Sequence, residues 1–293
     1  MIHGVIPAVL TPFTARGEVN EKALREYVDF LIDKGVHGLF PLGTNGSGPL
    51  MSVEDRKKVI SIVVEQTNKR VPVIVHTGAI STSETIEVTV HAQKAGADAA
   101  AIVTPWYFPH DDVSLHLHFS AVAEAVSNLP IYLYNIPGNA KNDLKPKLVK
   151  KLAEKHSNIK GIKDSSKDLA RLQDYIAALG EGYDVVVGTD ALVYPALAMD
   201  ATGVVSAVGN CFPELMVELY EAYKAGDLAK AKKLQYRANQ VRDVLKLGSY
   251  ITPYYEALKF RGVDVGEVKL PLRPLTETEK ENLKNGLTNL NLL

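Results

Sequence analysis

Most lysines of this chain fall in charged, helix-patterned stretches, where a solvated position is the ordinary reading, but Lys163 closes the apolar run Ile159-Lys160-Gly161-Ile162-Lys163. Side chains alternate across a strand, which puts Ile159, Gly161 and Lys163 on one face and Lys160 and Ile162 on the other. If Ile162 packs under helices, Lys163 points inward. An ammonium there is costly unless it is paired or gives up its proton. Two readings follow. Either an inward carboxylate neutralises it, or burial lowers its pKa from about 10.4 toward neutrality and leaves an amine able to attack a ketone carbonyl.

Other strand ends carry chemistry as well. Tyr134 ends the run 131–134 in phase with Tyr132; a phenol there either caps the core or relays a proton beside an amine. Gly43-Thr44-Asn45-Gly46 is open to an ordinary turn reading, yet it also presents hydroxyl and backbone N–H groups that suit a carboxylate. Gly188 and Gly209 let the backbone come close after two further strands. His76 ends another run, but no convergent set of His and carboxylate ligands accompanies it, and His116 and His118, two apart on a helix, do not share a face.

The elements that must position these residues alternate along the chain. Val- and Ile-rich runs at 4–10, 38–42, 72–76, 99–103, 131–134, 159–163, 185–188 and 203–206 read as strands. Helical patterns at 21–33, 53–68, 83–94, 113–126, 145–155, 168–179, 191–199 and 213–224 follow them in turn. Eight such units predict an α/β fold, a parallel (β/α)₈ barrel whose active site lies at the C-terminal strand ends. Ser52 and Ser81 are expected helix N-caps, and Gly35, Gly96 and Gly180 expected stops. After residue 224 the strands cease. Helices at 227–245, 253–260 and 277–287 make residues 225–293 a C-terminal helical extension of the barrel at 1–224. Leu228, Ala231, Leu234 and Ala238 are its expected packing face.

Composition narrows the function classes. The chain has 293 residues, 46% hydrophobic and 23% charged, with 33 basic and 34 acidic residues and a net charge of -1. That balance gives no electrostatic reason to expect nucleic acid or an anionic membrane as partner. No apolar run approaches a membrane span, and the N-terminus does not read as a signal peptide. With Cys211 alone, no internal disulfide forms. A cytoplasmic enzyme is expected.

Together the strand-end motifs resemble the dihydrodipicolinate synthase and N-acetylneuraminate lyase family of Schiff-base aldolases. The likeness runs from Ile6 to about Pro271. It rests on Pro7-Ala8-Val9-Leu10-Thr11-Pro12-Phe13, on Gly43-Thr44-Asn45-Gly46, on Pro105-Trp106-Tyr107, on Tyr134-Asn135-Ile136-Pro137 and on Gly161-Ile162-Lys163-Asp164. The resemblance implies that Lys163 carries an imine with pyruvate, that Tyr134 shuttles protons, and that Thr44 links it to a Tyr107 supplied by a neighbouring subunit. It puts Thr44 and Asn45 on the substrate carboxylate and Asn139, Gly188 and Val205 in the substrate pocket. No cofactor beyond the covalent imine and no metal is implied, and the assembly is expected to be a homotetramer, a dimer of dimers.

The pattern departs from the synthase branch in three places. Asn45 replaces a threonine, Asn139 stands where that branch has an arginine for the aldehyde's carboxylate, and Ser47-Gly48-Pro49 stands where lysine-inhibited synthases carry polar side chains, its Gly48-Pro49 resembling the loop of archaeal-type 2-keto-3-deoxygluconate aldolases. The expected reaction is therefore reversible cleavage of a 2-keto-3-deoxy sugar acid to pyruvate and an aldehyde. The alternative is 4-hydroxy-tetrahydrodipicolinate synthase, joining pyruvate to aspartate semialdehyde. A metal-dependent aldolase and a non-catalytic binding protein on the same barrel are the readings from other classes.

Overall fold

The computed structural model describes residues 2–293. Its strands are β1 (Gly4–Pro7), β2 (Ile74–His76), β3 (Ala99–Val103), β4 (Ile131–Asn135), β5 (Ile159–Asp164), β6 (Asp184–Val187) and β7 (Gly203–Ser206). They form one curled parallel sheet in the order β1-β7-β6-β5-β4-β3-β2. The expected strand at 38–42 is not a regular strand. Pro41 has no N–H to extend a ladder, and Leu42 turns away at φ 65°. Its neighbours still bridge the two edges of the sheet. His37 and Phe40 donate to the Val5 and Pro7 carbonyls at 2.8 and 3.0 Å, while Leu39 donates to Pro72 and accepts from Ile74, both at 2.9 Å.

The helices are α1 (Glu21–Asp33), α2 (Val53–Thr67), α3 (Thr82–Ala95), α4 (Asp112–Ala125), α5 (Pro137–Ala140), α6 (Pro146–Lys155), α7 (Leu169–Leu179), α8 (Val193–Leu197), α9 (Pro213–Lys224), α10 (Leu228–Val244), α11 (Thr252–Phe260) and α12 (Glu277–Asn289). Ser52 and Ser81 cap α2 and α3 by accepting from the Asp55 and Glu84 N–H groups. Gly96 and Gly180 stop α3 and α7, and Gly35 follows the end of α1 at φ 78°. The helix expected at 191–199 is shorter: a 3₁₀ turn occupies Asp190–Leu192, and Leu192 leaves helical geometry before α8 begins. The single turn α5 was not anticipated.

Strand alternation sorts the apolar residues into two clusters. Val5, Val75, Ile102, Leu133, Ile162 and Val204 pack between sheet and helices. Ile6, Ile74, Ala101, Tyr132, Tyr134, Val186 and Val205 pack on the inner face with Phe40. Tyr132 and Tyr134 are thus in phase, and Ile162 lies outward as expected. Ile159 departs from the expected alternation. The β4–β5 register shifts after Ile131, where Gly161 and not Lys160 pairs with Tyr132, so Lys160 is exposed and Ile159 joins the outer cluster.

Beyond α9 the chain reverses and α10 packs against α9. Ala231 and Ala238 are fully buried and Leu234 packs against the outer cluster. Leu228 corrects the expected face: it begins α10 just past the turn at Gly226 and is 49% exposed.

Candidate active site

Lys163 and Tyr134 pair residue against residue on β5 and β4. Both are buried, Lys163 at 6% exposure. The Lys163 Nζ lies 3.9 Å from the Tyr134 ring centre and 4.2 Å from that of Phe40. Phe40 meets Tyr134 edge-on at 6.1 Å. Among the described residues no carboxylate forms an ion pair with Lys163. Burial pulls the lysine down to about pKa 7, and Asp190 opposes that shift through space. Of the two readings open in the sequence, this geometry favours the amine. A group titrating near neutrality is a nucleophile for much of the time at pH 7.

Asp190 itself accepts from the Ser206 hydroxyl and from the Ala207 and Val208 N–H groups at 3.1 and 3.0 Å. Its carboxyl is raised by burial, which those bonds counter. Its carbonyl accepts from Gln235 at 2.8 Å, tying the turn after β6 to α10.

The Tyr134 phenol is raised by burial, while hydrogen bonds with Ser165 and Thr44 pull it back. Thr44, the expected partner of that phenol, and Ser165 share the cavity wall with it. Ser165 also donates to the Gly188 carbonyl at 3.3 Å. Gly188 is glycine for a steric reason: a Cβ there would lie 1.9 Å from Ser165 Oγ and 3.1 Å from Lys163 Cε. Gly48 is similar, since its Cβ would lie 1.9 Å from the Leu42 carbonyl oxygen and force the Thr44 loop open.

A side-chain clamp holds the two strand ends. Asn135 donates to Asp164 at 3.0 Å and to Asp143 at 3.1 Å, and it accepts from the Leu144 N–H at 3.0 Å. Arg171 grips Asp143 with both carboxylate oxygens in reach, at 3.0 and 2.8 Å. Such a network resists the small displacements that spoil a reactive geometry.

A cavity of about 500 Å³ opens above the amine. Thr44, Asn45, Tyr134, Asn139, Lys163, Gly188 and Val205 all contribute to its wall. Asn45 Nδ2 is buried with no partner among the described residues, a donor available to a carboxylate. Asn139 is exposed at the rim and reaches the Tyr250 hydroxyl at 3.5 Å. Tyr107 is the exception. It is 80% exposed at φ 80°, stacks edge-on with Phe108, and takes no part in the cavity wall of its own chain.

Sequence reasoning missed Ser165, Asp190 and three cations of the wall, Lys167, Arg242 and Lys246. Arg242 and Lys246 sit one turn apart near the end of α10, a spacing that reads as a solvated face. Lys141, two residues from Asn139, is turned to the Gly138 carbonyl at 3.2 Å and is not part of the wall.

Among the described residues no three His, Cys, Asp or Glu side chains are placed to hold a metal ion. No helix among them is long and apolar enough to cross a membrane.

The dihydrodipicolinate synthetase family matches residues 1–290 of the chain. The 4-hydroxy-tetrahydrodipicolinate synthase of Methanopyrus kandleri is 40% identical over 294 residues, covering 100% of this chain and 97% of that one. The enzyme of the same name from Methanocaldococcus jannaschii is 38% identical, with both chains fully covered. Among solved structures, YagE, a prophage protein of the dihydrodipicolinic acid synthase family from E. coli K12, was crystallised in complex with pyruvate. It superposes with a TM-score of 0.97 at 36% identity over the whole of both chains. The dihydrodipicolinate synthase from Aquifex aeolicus gives 0.95 at 33% identity over 99% of each. With its strand-end motifs, its buried amine and this full-length match, the chain belongs to the dihydrodipicolinate synthetase family, carbon–carbon lyases that work through a Schiff-base lysine.

Proposed function

We propose that the protein holds pyruvate as an imine on Lys163 and joins it to an aldehyde that carries its own negative charge, with aspartate semialdehyde the first candidate. The buried amine of Lys163 beside Tyr134 is the observation that carries the reading. The neutral amine attacks the ketone carbon, and the carbinolamine loses water as the Tyr134 phenol, relayed by Thr44 and Ser165, moves the proton. The iminium draws electrons from the adjacent methyl, which loses a proton to give an enamine. The enamine carbon attacks the aldehyde carbon, and hydrolysis then frees Lys163. Asn45 Nδ2 and the Thr44 hydroxyl serve the pyruvate carboxylate. The steps written here use only Lys163, Tyr134, Thr44, Ser165 and Asn45, so no cofactor is part of the proposal.

The charge of the second substrate is where this reading departs from the sequence-based expectation of a 2-keto-3-deoxy sugar acid. That expectation leaned on the neutral Asn139. Lys167, Arg242 and Lys246 supply positive charge on the cavity wall from other elements, and several, though not all, curated relatives at 36–40% identity are named as the synthase. The sugar-acid reaction stays as the second reading, favoured by Asn139, whose amide suits hydroxyls.

The barrel with 37–41 as its eighth stave, the boundary near residue 224, a cytoplasmic location and a homotetramer completed by Tyr107 of a neighbouring copy are part of the same proposal. Residues 225–293 then act as an extension that walls the site. Borohydride reduction with pyruvate, read by intact mass, tests the imine; an unmodified Lys163 overturns it. Side-by-side kcat/KM for aspartate semialdehyde and glyceraldehyde with pyruvate tests the substrate, and a clear preference for glyceraldehyde installs the second reading.

A further inference from the structure

Beside the Lys163 cavity, and sharing Thr44, Tyr134 and Asn139 with it, lies a side pocket of about 200 Å³. Val103, Trp106 and Ile136 give it apolar walls, and His76 stands among them. His76 ends β2, is 3% exposed, and meets the Tyr134 ring edge-on at 5.8 Å. Its Nδ1 lies 3.0 Å from the Leu42 carbonyl oxygen. A carbonyl only accepts, so Nδ1 carries the ring's hydrogen, and in the neutral ring Nε2 is a bare lone pair. Burial and the nearby charges of Arg56 and Lys163 hold the ring neutral, with its pKa pushed down to about 3.

Nothing among the described residues hydrogen-bonds that Nε2. Buried polar atoms normally find partners, and an acceptor left bare beside a reactive amine points to a donor that arrives with a ligand. The ring is also held in place for such a role. The buried Arg56 guanidinium donates to the Gly78 carbonyl at 3.0 Å and lies 3.4 Å from that of His76, fixing the backbone at the end of β2.

We infer that His76 is a specificity-determining residue: its Nε2 accepts a hydrogen bond from an O–H or N–H group on the aldehyde when that substrate's chain enters the side pocket. The inference rests on the imine reading above and adds what the second substrate must carry. An ammonium and a hydroxyl are two sources of the same donor, and matched aldehydes separate them. Aspartate semialdehyde differs from succinate semialdehyde by its ammonium, and glyceraldehyde differs from propanal by its hydroxyls.

With the full-length enzyme and pyruvate, kcat/KM is measured for both pairs. In the pair the enzyme uses, the donor-bearing member is expected to lead by about 10- to 100-fold, because its rival leaves Nε2 unpaired. His76→Phe should shrink that lead to within about threefold, while His76→Gln, which keeps an acceptor oxygen, should preserve at least about tenfold. Trapping of pyruvate on Lys163 reports that each variant is folded. If the Phe variant does not trap pyruvate, His76→Leu takes its place as the acceptor-free side chain. A lead that survives loss of the acceptor, a lead that Gln loses as fully as Phe, or no lead in either pair with wild type overturns the inference. Failure of wild type to trap pyruvate overturns the imine reading instead.

Discussion

Lys163 and Tyr134 face each other across the β4–β5 ladder, with the amine 3.9 Å from the centre of the phenol ring. The π face compensates a cation only in part, by about 0.5–2 kcal/mol, which is less than a buried carboxylate in contact would supply. Burial therefore outweighs it, and the lysine falls to about pKa 7. The same pairing sets the phenol, whose pKa burial raises and Thr44 and Ser165 pull back, beside the amine.

Lys163→Ala is expected to abolish both turnover and the borohydride-trapped pyruvate adduct while the fold persists. Lys163→Arg should be equally inactive, since a guanidinium keeps its proton and cannot attack a carbonyl. Normal turnover in either variant would remove the imine from the mechanism. Chelator treatment should leave wild-type activity intact; activity that falls and is restored by zinc or magnesium would bring back the metal-dependent class.

The amine also predicts that activity and stability both fall as protons are added, over different pH windows. Pyruvate trapping should rise with pH through about 7 and then level off, as the neutral amine becomes the main form. Because the folded value lies below the unfolded value of 10.5, the folded state binds fewer protons between the two. Stability from this group is therefore lost as pH falls from 10.5 to about 7, and is flat below. Lys163→Met should raise the Tm at pH 6, at roughly 2–4 °C per kcal/mol gained, with the gain narrowing toward pH 10. A variant less stable than wild type at pH 6 would show that burial of this cation is not destabilising.

Arg242 tests the charged wall of the cavity. Arg242→Ala should lower kcat/KM for aspartate semialdehyde by about 10- to 100-fold, the value of one charge-assisted hydrogen bond, and change that for glyceraldehyde by less than about threefold. Equal losses with both aldehydes would mean that the arginine supports the fold of the site and does not read charge.

Gly188→Ala places a methyl against Ser165 Oγ and Lys163 Cε. Ser165 can rotate away, but only by giving up its bond to the Gly188 carbonyl and its place beside the Tyr134 phenol. A folded protein with kcat lowered about tenfold and pyruvate KM little changed is expected, in line with a lost proton-relay partner. Wild-type kcat would show that the Ser165 contact is dispensable.

Tyr107 lies outside its own cavity, so its role depends on assembly. Sedimentation should give a dimer or tetramer with two-fold symmetry, and Tyr107→Phe should lower kcat more than it changes pyruvate affinity. An active monomer would refute the shared site.

What the sequence by itself determined follows from local rules. Period-two alternation singled out Lys163 and Tyr134 at strand ends, and the glycines around Thr44 and Asn45 marked a tight loop; the structure brings all four to one cavity. Caps at Ser52 and Ser81 were equally local. Alternation failed at Ile159 because a one-residue register shift is a property of the strand pair and leaves no trace in either strand alone. The run 38–42 has strand-like residues, but its prolyl nitrogen and the turn at Leu42 matter only once its neighbours are in place. Only tertiary structure could recruit Ser165, Asp190, Lys167, Arg242 and Lys246. A basic residue on an amphipathic helix looks solvated whichever way the helix docks, and a buried aspartate at a turn looks like any cap. Which charges line the cavity depends on how α10 packs beside the turns after β6 and β7, through contacts such as that of Gln235 with the Asp190 carbonyl, 45 residues apart.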